Sequence, residues 1–122
     1  MEEGTTRYGF VHREEMVLVK VQELLASAGH QEEAFTLLVS LFDEVADKLS
    51  QSSYRNHLDS VANNRLRHLL GEASRQYRLC REGQDEAFVK RYQVTLRRLL
   101  RRPVYQSHGF FDLLKGVKAG AR

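Results

Sequence analysis

One proline, one cysteine and no tryptophan occur in 122 residues, and each scarcity excludes something. Pro103 is the sole obligatory helix breaker, so nothing of that kind interrupts the first 102 residues. Cys80 is the sole cysteine, so no intramolecular disulfide and no Cys-x-x-Cys pair can form; that usage fits a reducing compartment, and a cytoplasmic location is expected. Long apolar runs are missing as well. Val17–Val19 and Phe35–Val39, the latter interrupted by Thr36, fall far short of the roughly 18 to 20 residues that cross a bilayer. The opening Met1-Glu2-Glu3-Gly4 lacks a basic region followed by an apolar one, so no secretory signal is expected.

Chemistry-bearing constellations are equally sparse. His12, His30, His57, His68 and His108 include no i, i+4 pair, and no glutamate precedes a histidine by three residues, so the local repeats of helical zinc and di-iron sites are absent. There is no glycine-rich phosphate loop and no Gly-x-Ser-x-Gly elbow. Cys80 and His68, a conceivable nucleophile and base, would stand about 18 Å apart along one straight helix. Cys80 therefore reads as a small buried apolar residue. These readings lead to the expectation of a protein that is not an enzyme and needs no cofactor or metal. Arg102 and His108 have a spacing similar to the arginine–histidine pair of small helical ribonucleases of the HEPN type; Pro103 falls where that family has helix, and the activity is not carried over.

What is present is helix-forming sequence with a lopsided charge. Hydrophobic residues make up 42 % and charged residues 29 %, ordinary values for one globular domain spanning 1–122, with residues 1–10 and 119–122 as tails. Apolar spacing close to 3.6 throughout predicts an all-α fold, an antiparallel bundle of four main helices plus a short C-terminal helix. The first helix is expected over 12–28, with Val17, Val21, Leu24 and Ala28 on one face, Glu14 and Glu15 in a first turn that favours acids, and Gly29 as the stop. The second, over 31–50, carries the clearest stripe. A third, over 54–82, has Asn63-Asn64 as a potential break and Gly83 as its end. Asp85 and Glu86 open a fourth that Pro103 closes, and a last short helix is expected over 109–117. The core should contain Phe35, Leu38, Phe42, Val45, Leu66, Leu69, Leu96 and Leu99.

Residues 1–64 hold 5 Lys/Arg against 11 Asp/Glu, a balance of −6, whereas residues 65–122 hold 14 against 5, or +9, so the formal net charge of +3 conceals a dipole. Such asymmetry points to a polyanion or an acidic partner. On the fourth helix, at about 100° per residue, Lys90, Arg97 and Arg101 fall opposite Phe88, Tyr92 and Leu99, with Arg91 and Arg98 at the flank and Arg102 just beyond. On the third helix Arg67, Arg78 and Arg81 share one side of the apolar stripe. If the two helices form a hairpin about Gly83, these rows can join into one positive field. Guanidinium offers bidentate, permanently charged donors to phosphate, so the expected function is a subunit or adaptor that binds nucleic-acid backbone. The alternative is a protein-interaction module, a regulator or assembly chaperone, for an acidic or grooved partner, with Phe110, Phe111 and Leu114 as a docking segment or a cap on the core. Tyr77, Phe88 and Tyr92 fall on apolar stripes, so base stacking is not expected of them, and no signature of a named nucleic-acid module is present. The chain is a possible homo-oligomer or subunit of a larger complex.

Overall fold

A computed structural model describes residues 12–51 and 60–107. They form α1 (His12–Ala26), α2 (Gln31–Ser50), α3 (Ser60–Leu79), α4 (Glu86–Leu100) and α5 (Pro103–Ser107), and no strand occurs among the described residues. α2 packs against each of the other four helices. Its composition explains that place: Ala34, Phe35, Leu38, Leu41, Phe42, Val45, Ala46 and Leu49 are all buried, and a helix apolar over so wide an arc must be covered from several sides.

Cross-helix pairs fix the directions. The start of α1 meets the end of α2 through Arg13–Glu44 and Glu14–Lys48, so these two run antiparallel. α3 ends where Tyr77 touches Phe35 and Phe42, antiparallel to α2. α4 then runs alongside α2 in the same direction, because Glu32 meets Arg91 and Asp43 meets Arg98. All eight residues expected in the core are buried.

The helix ends differ from the sequence expectation for local reasons. α1 stops at Ala26, and Ala28 is exposed beyond it; Gly29, at φ +88°, takes the left-handed conformation that reverses the chain. α3 passes through Asn63-Asn64 without a break. It gives way at Leu79, where the N–H groups of Cys80, Arg81 and Glu82 each donate to the carbonyl three residues back, at 3.2 Å, a tightening that leads into Gly83 at φ +74°. Asp85 caps α4, its carboxylate accepting the Phe88 N–H at 2.9 Å.

Pro103 opens a helix instead of merely closing one. α4 has already ended at Leu100, and Pro103 is the first residue of α5, where its fixed φ and missing N–H suit the first helical position. The consequence is burial of Val104 and Tyr105, with the Tyr105 hydroxyl donating to the Phe42 carbonyl. The expected helix over 109–117, with Phe110, Phe111 and Leu114, lies outside the described residues, as do the expected tails and residues 54–59 at the start of the third helix.

Candidate polyanion-binding face

α4 carries the basic doublets Lys90-Arg91 and Arg97-Arg98, and a third, Arg101-Arg102, follows directly on its end, at i, i+7 and i+11. Neighbours in sequence point about 100° apart on a helix, so each doublet sends one cation to each of two faces. The inward face of α4 is fixed by Phe88, Tyr92, Leu96, Leu99 and Leu100, all buried. The second member of each doublet turns toward α2. Arg91 donates to Glu32. Arg98 reaches Asp43 with both terminal nitrogens at 3.4 Å. Arg102 bridges Asp43 at 3.3 Å and Asp47 at 2.9 Å. The Arg91 guanidinium also lies over the Phe35 and Phe88 rings, 5.3 and 5.1 Å from their centroids, which anchors that rung at the start of the seam.

The first member of each doublet points away from the core. Lys90, Arg97 and Arg101 are exposed and meet no carboxylate among the described residues. Val94, 54 % exposed, sits among them. Lys90, Val94, Arg97 and Arg101 follow i, i+4, i+7 and i+11, a single row roughly 16 Å long.

The cations expected on the third helix are Arg67, Arg78 and Arg81. Arg67 is exposed and Arg78 half-buried, while Arg81, in the turn after α3, places its guanidinium 5.6 Å from the Tyr92 ring centroid. Arg65 turns the other way, to Glu15 of α1, with Nε at 3.3 Å from the carboxylate, and Arg75 pairs with Glu72 one turn earlier. That local pairing holds the Glu72 carboxyl below its usual range, Arg75 being the main cause. α1 thus takes Arg65 of α3, while the acids of α2 meet Arg91, Arg98 and Arg102 on the α4 side.

The aromatics are structural, as their positions imply. Tyr77 and Tyr92 are fully buried and meet edge to face at 4.5 Å, and the Tyr77 hydroxyl donates to the Tyr92 carbonyl at 3.1 Å. Phe88 packs on Phe35 with centroids 5.1 Å apart. No base could stack on any of them without opening the core. Cys80 is buried beside them, and burial pushes its thiol up to about 12, which keeps it protonated and unreactive at neutral pH. Among the described residues no three His, Cys, Asp or Glu side chains gather as a metal site, and no helix is long and apolar enough to cross a membrane. Arg102, one half of the ribonuclease-like spacing, is engaged by Asp43 and Asp47.

Sequence reasoning missed one ionic site. Glu14, read as a first-turn acid, is 0 % exposed. Lys48 Nζ lies 2.7 Å from its Oε2, and Glu44 completes the group, tied to Arg13 at 2.9 Å. Burial raises the Glu14 pKa above the usual carboxylate value, with a hydrogen bond to Glu44 adding to it and Lys48 opposing it. The signal was available: Glu14 precedes Leu18 and Val21 at i+4 and i+7, in register with the buried stripe of α1.

Comparison with known proteins finds no matching family, no matching curated protein and no matching solved structure.

Proposed function

We propose that the chain is a non-enzymatic binder of nucleic-acid backbone, acting as a subunit or adaptor, with Lys90, Arg97 and Arg101 as its primary phosphate contacts. The observation that carries this reading is the row itself: three exposed cations without carboxylate partners among the described residues, on the helix face opposite the core. Unpaired cations can exchange their counterions for phosphates, and counterion release supplies affinity without reading bases. Exposed aromatics for stacking are not part of the face, which favours backbone tracking with little sequence preference.

The test is titration of the purified full chain against labelled mixed-sequence oligonucleotides, single-stranded and duplex, from about 50 mM salt upward. Three phosphate contacts imply a slope of log K on log salt near −2 for single strands and near −2.7 for duplex. The substitutions Arg97→Glu and Arg101→Glu together should abolish retention. No retention at about 50 mM salt would remove the proposal. Equal binding of an acidic polypeptide such as polyglutamate would transfer the row to the protein-interaction reading.

A further inference from the structure

We infer that the acidic row of α2, Glu32, Asp43 and Asp47, is a built-in competitor for nucleic-acid phosphates, holding Arg91, Arg98 and Arg102 as a second tier of contacts. The inference rests on the proposed backbone-binding function and assigns that face its regulation.

The doublets carry the argument. Each exposed cation of the outer row has, one residue on, an arginine pairing with a carboxylate of α2: Arg91 with Glu32, Arg98 with Asp43, and Arg102 with Asp43 and Asp47. A polyanion lying along Lys90, Arg97 and Arg101 therefore runs beside all three rungs at once. The rungs are wet. Arg98 is 51 % exposed and Asp47 70 % exposed, and ion pairs at that exposure contribute little net stability because water competes on both sides. The Arg98–Asp43 contacts are also long, at 3.4 Å. The Arg98 guanidinium, so loosely held, can swing to a phosphate with a modest change in side-chain torsion, since the backbone of α4 is fixed by its buried face; Arg91, over Phe35 and Phe88, and Arg102, 28 % exposed between Asp43 and Asp47, are held more firmly and become available when their carboxylates are neutralised. The carboxylates left behind remain hydrated and repel the polyanion. Asp43 stands at the centre, facing both Arg98 and Arg102.

Two consequences follow that a diffuse positive surface does not share. Neutralising the competitor should change how many phosphates are engaged, visible as a steeper salt slope. Neutralising acids elsewhere should raise affinity slightly through net charge and leave the slope alone.

The experiment measures anisotropy of a labelled single-stranded mixed-sequence 20-mer, chosen as probe, across about 50 to 200 mM salt. It uses the full chain, the Asp43→Asn/Asp47→Asn variant and a charge-matched control, Glu23→Gln/Glu33→Gln, whose acids are exposed and touch no arginine of α4. Over that fourfold rise in salt the parent should lose about 20-fold in affinity, for roughly three contacts, and the Asp43/Asp47 variant about 130-fold, for roughly five. The control should keep the parent's 20-fold loss. Parent-like slopes in the Asp43/Asp47 variant, or identical shifts in variant and control, overturn the inference while leaving the backbone-binding function standing. Failure of every protein to bind overturns both. If the Asp43/Asp47 variant loses its helical signal, Glu32→Gln frees Arg91 at the other end of the seam and should steepen the slope by about 0.7 alone; an unchanged slope there overturns the inference as well.

Discussion

Two acid–base systems tie α2 to its neighbours, one dry and one wet. At the start of α1, Glu14 is completely enclosed, with Lys48 as its counter-charge and Glu44 beside it. Along α4, Glu32, Asp43 and Asp47 meet their arginines at the surface. The chemistry is the same, carboxylate against cation, and the surroundings reverse its consequences. Within the dry site the enclosed Glu14 depends on Lys48 for its counter-charge, so loss of that cation strands the carboxylate, whereas Lys48 keeps Glu44 and some access to water. Along the wet seam water replaces any partner that leaves, so the pairs stabilise little and can be exchanged. One is suited to hold the bundle and the other to respond to an outside polyanion.

The largest expected effect comes from breaking the dry pair. Lys48→Met leaves the Glu14 carboxylate buried without its cation, a change that costs about 3 to 5 kcal/mol. For a domain of this size that should lower the melting temperature by roughly 10 to 20 °C at neutral pH. Protonating Glu14 relieves the stranded charge, so the deficit should shrink as pH falls toward the carboxylate range. A Lys48→Met protein that melts within a few degrees of the parent at every pH would place Glu14 in contact with water and dissolve the distinction between the two systems.

A smaller effect separates them by titration. The folded Glu14 pKa is raised above its unfolded value, chiefly by burial, so the folded state holds its proton more tightly. Its contribution to stability is fully present below the unfolded pKa, about 4.3, and is lost as pH rises through the higher folded value. Glu14→Gln removes that titration. The parent's stability should therefore fall relative to that of Glu14→Gln as pH climbs from about 4 into the neutral range. Denaturant midpoints at a series of pH values measure both, and parallel curves for the parent and Glu14→Gln would remove Glu14 as the titrating group.

How far the sequence revealed these features depends on how local the determinants are. Periodicity placed Phe35, Phe42, Leu66 and Leu99 in the core because a 3.6-residue repeat maps directly onto a helix face. Lys90, Arg97 and Arg101 were legible as outward for the same reason. What periodicity cannot supply is which face of one helix meets which face of another. That Arg91, Arg98 and Arg102 would find Glu32, Asp43 and Asp47 depends on α4 lying alongside α2 at a separation of more than fifty residues. The joining of the Arg67, Arg78 and Arg81 row with the α4 row depends on the same packing, which periodicity does not give. Pro103 carries a second role beside closing the fourth helix. Proline both ends the helix before it and starts well at a first helical position, and the burial of Tyr105 against Phe42 adds the second role here.

The smallest expected effect belongs to the wet seam. Asp43 and Arg98 form a half-exposed pair with contacts at 3.4 Å, where coupling energies run about 0 to 1 kcal/mol. A double-mutant cycle with Asp43→Asn and Arg98→Gln should return a coupling of about 0.5 kcal/mol or less, each variant melting within about 3 °C of the parent. Salt refines the contrast. At about 1 M, where screening acts over roughly 3 Å, the Asp43–Arg98 coupling should vanish, while the deficit of Lys48→Met should largely persist because the Glu14 carboxylate is itself fully buried. Melting curves of the four proteins of the cycle, with Lys48→Met alongside, at low and high salt provide the comparison. A coupling above about 2 kcal/mol that survives high salt would mean that Asp43 and Arg98 hold the bundle together as Glu14 and Lys48 do, and an arginine held that firmly could not be surrendered to a phosphate.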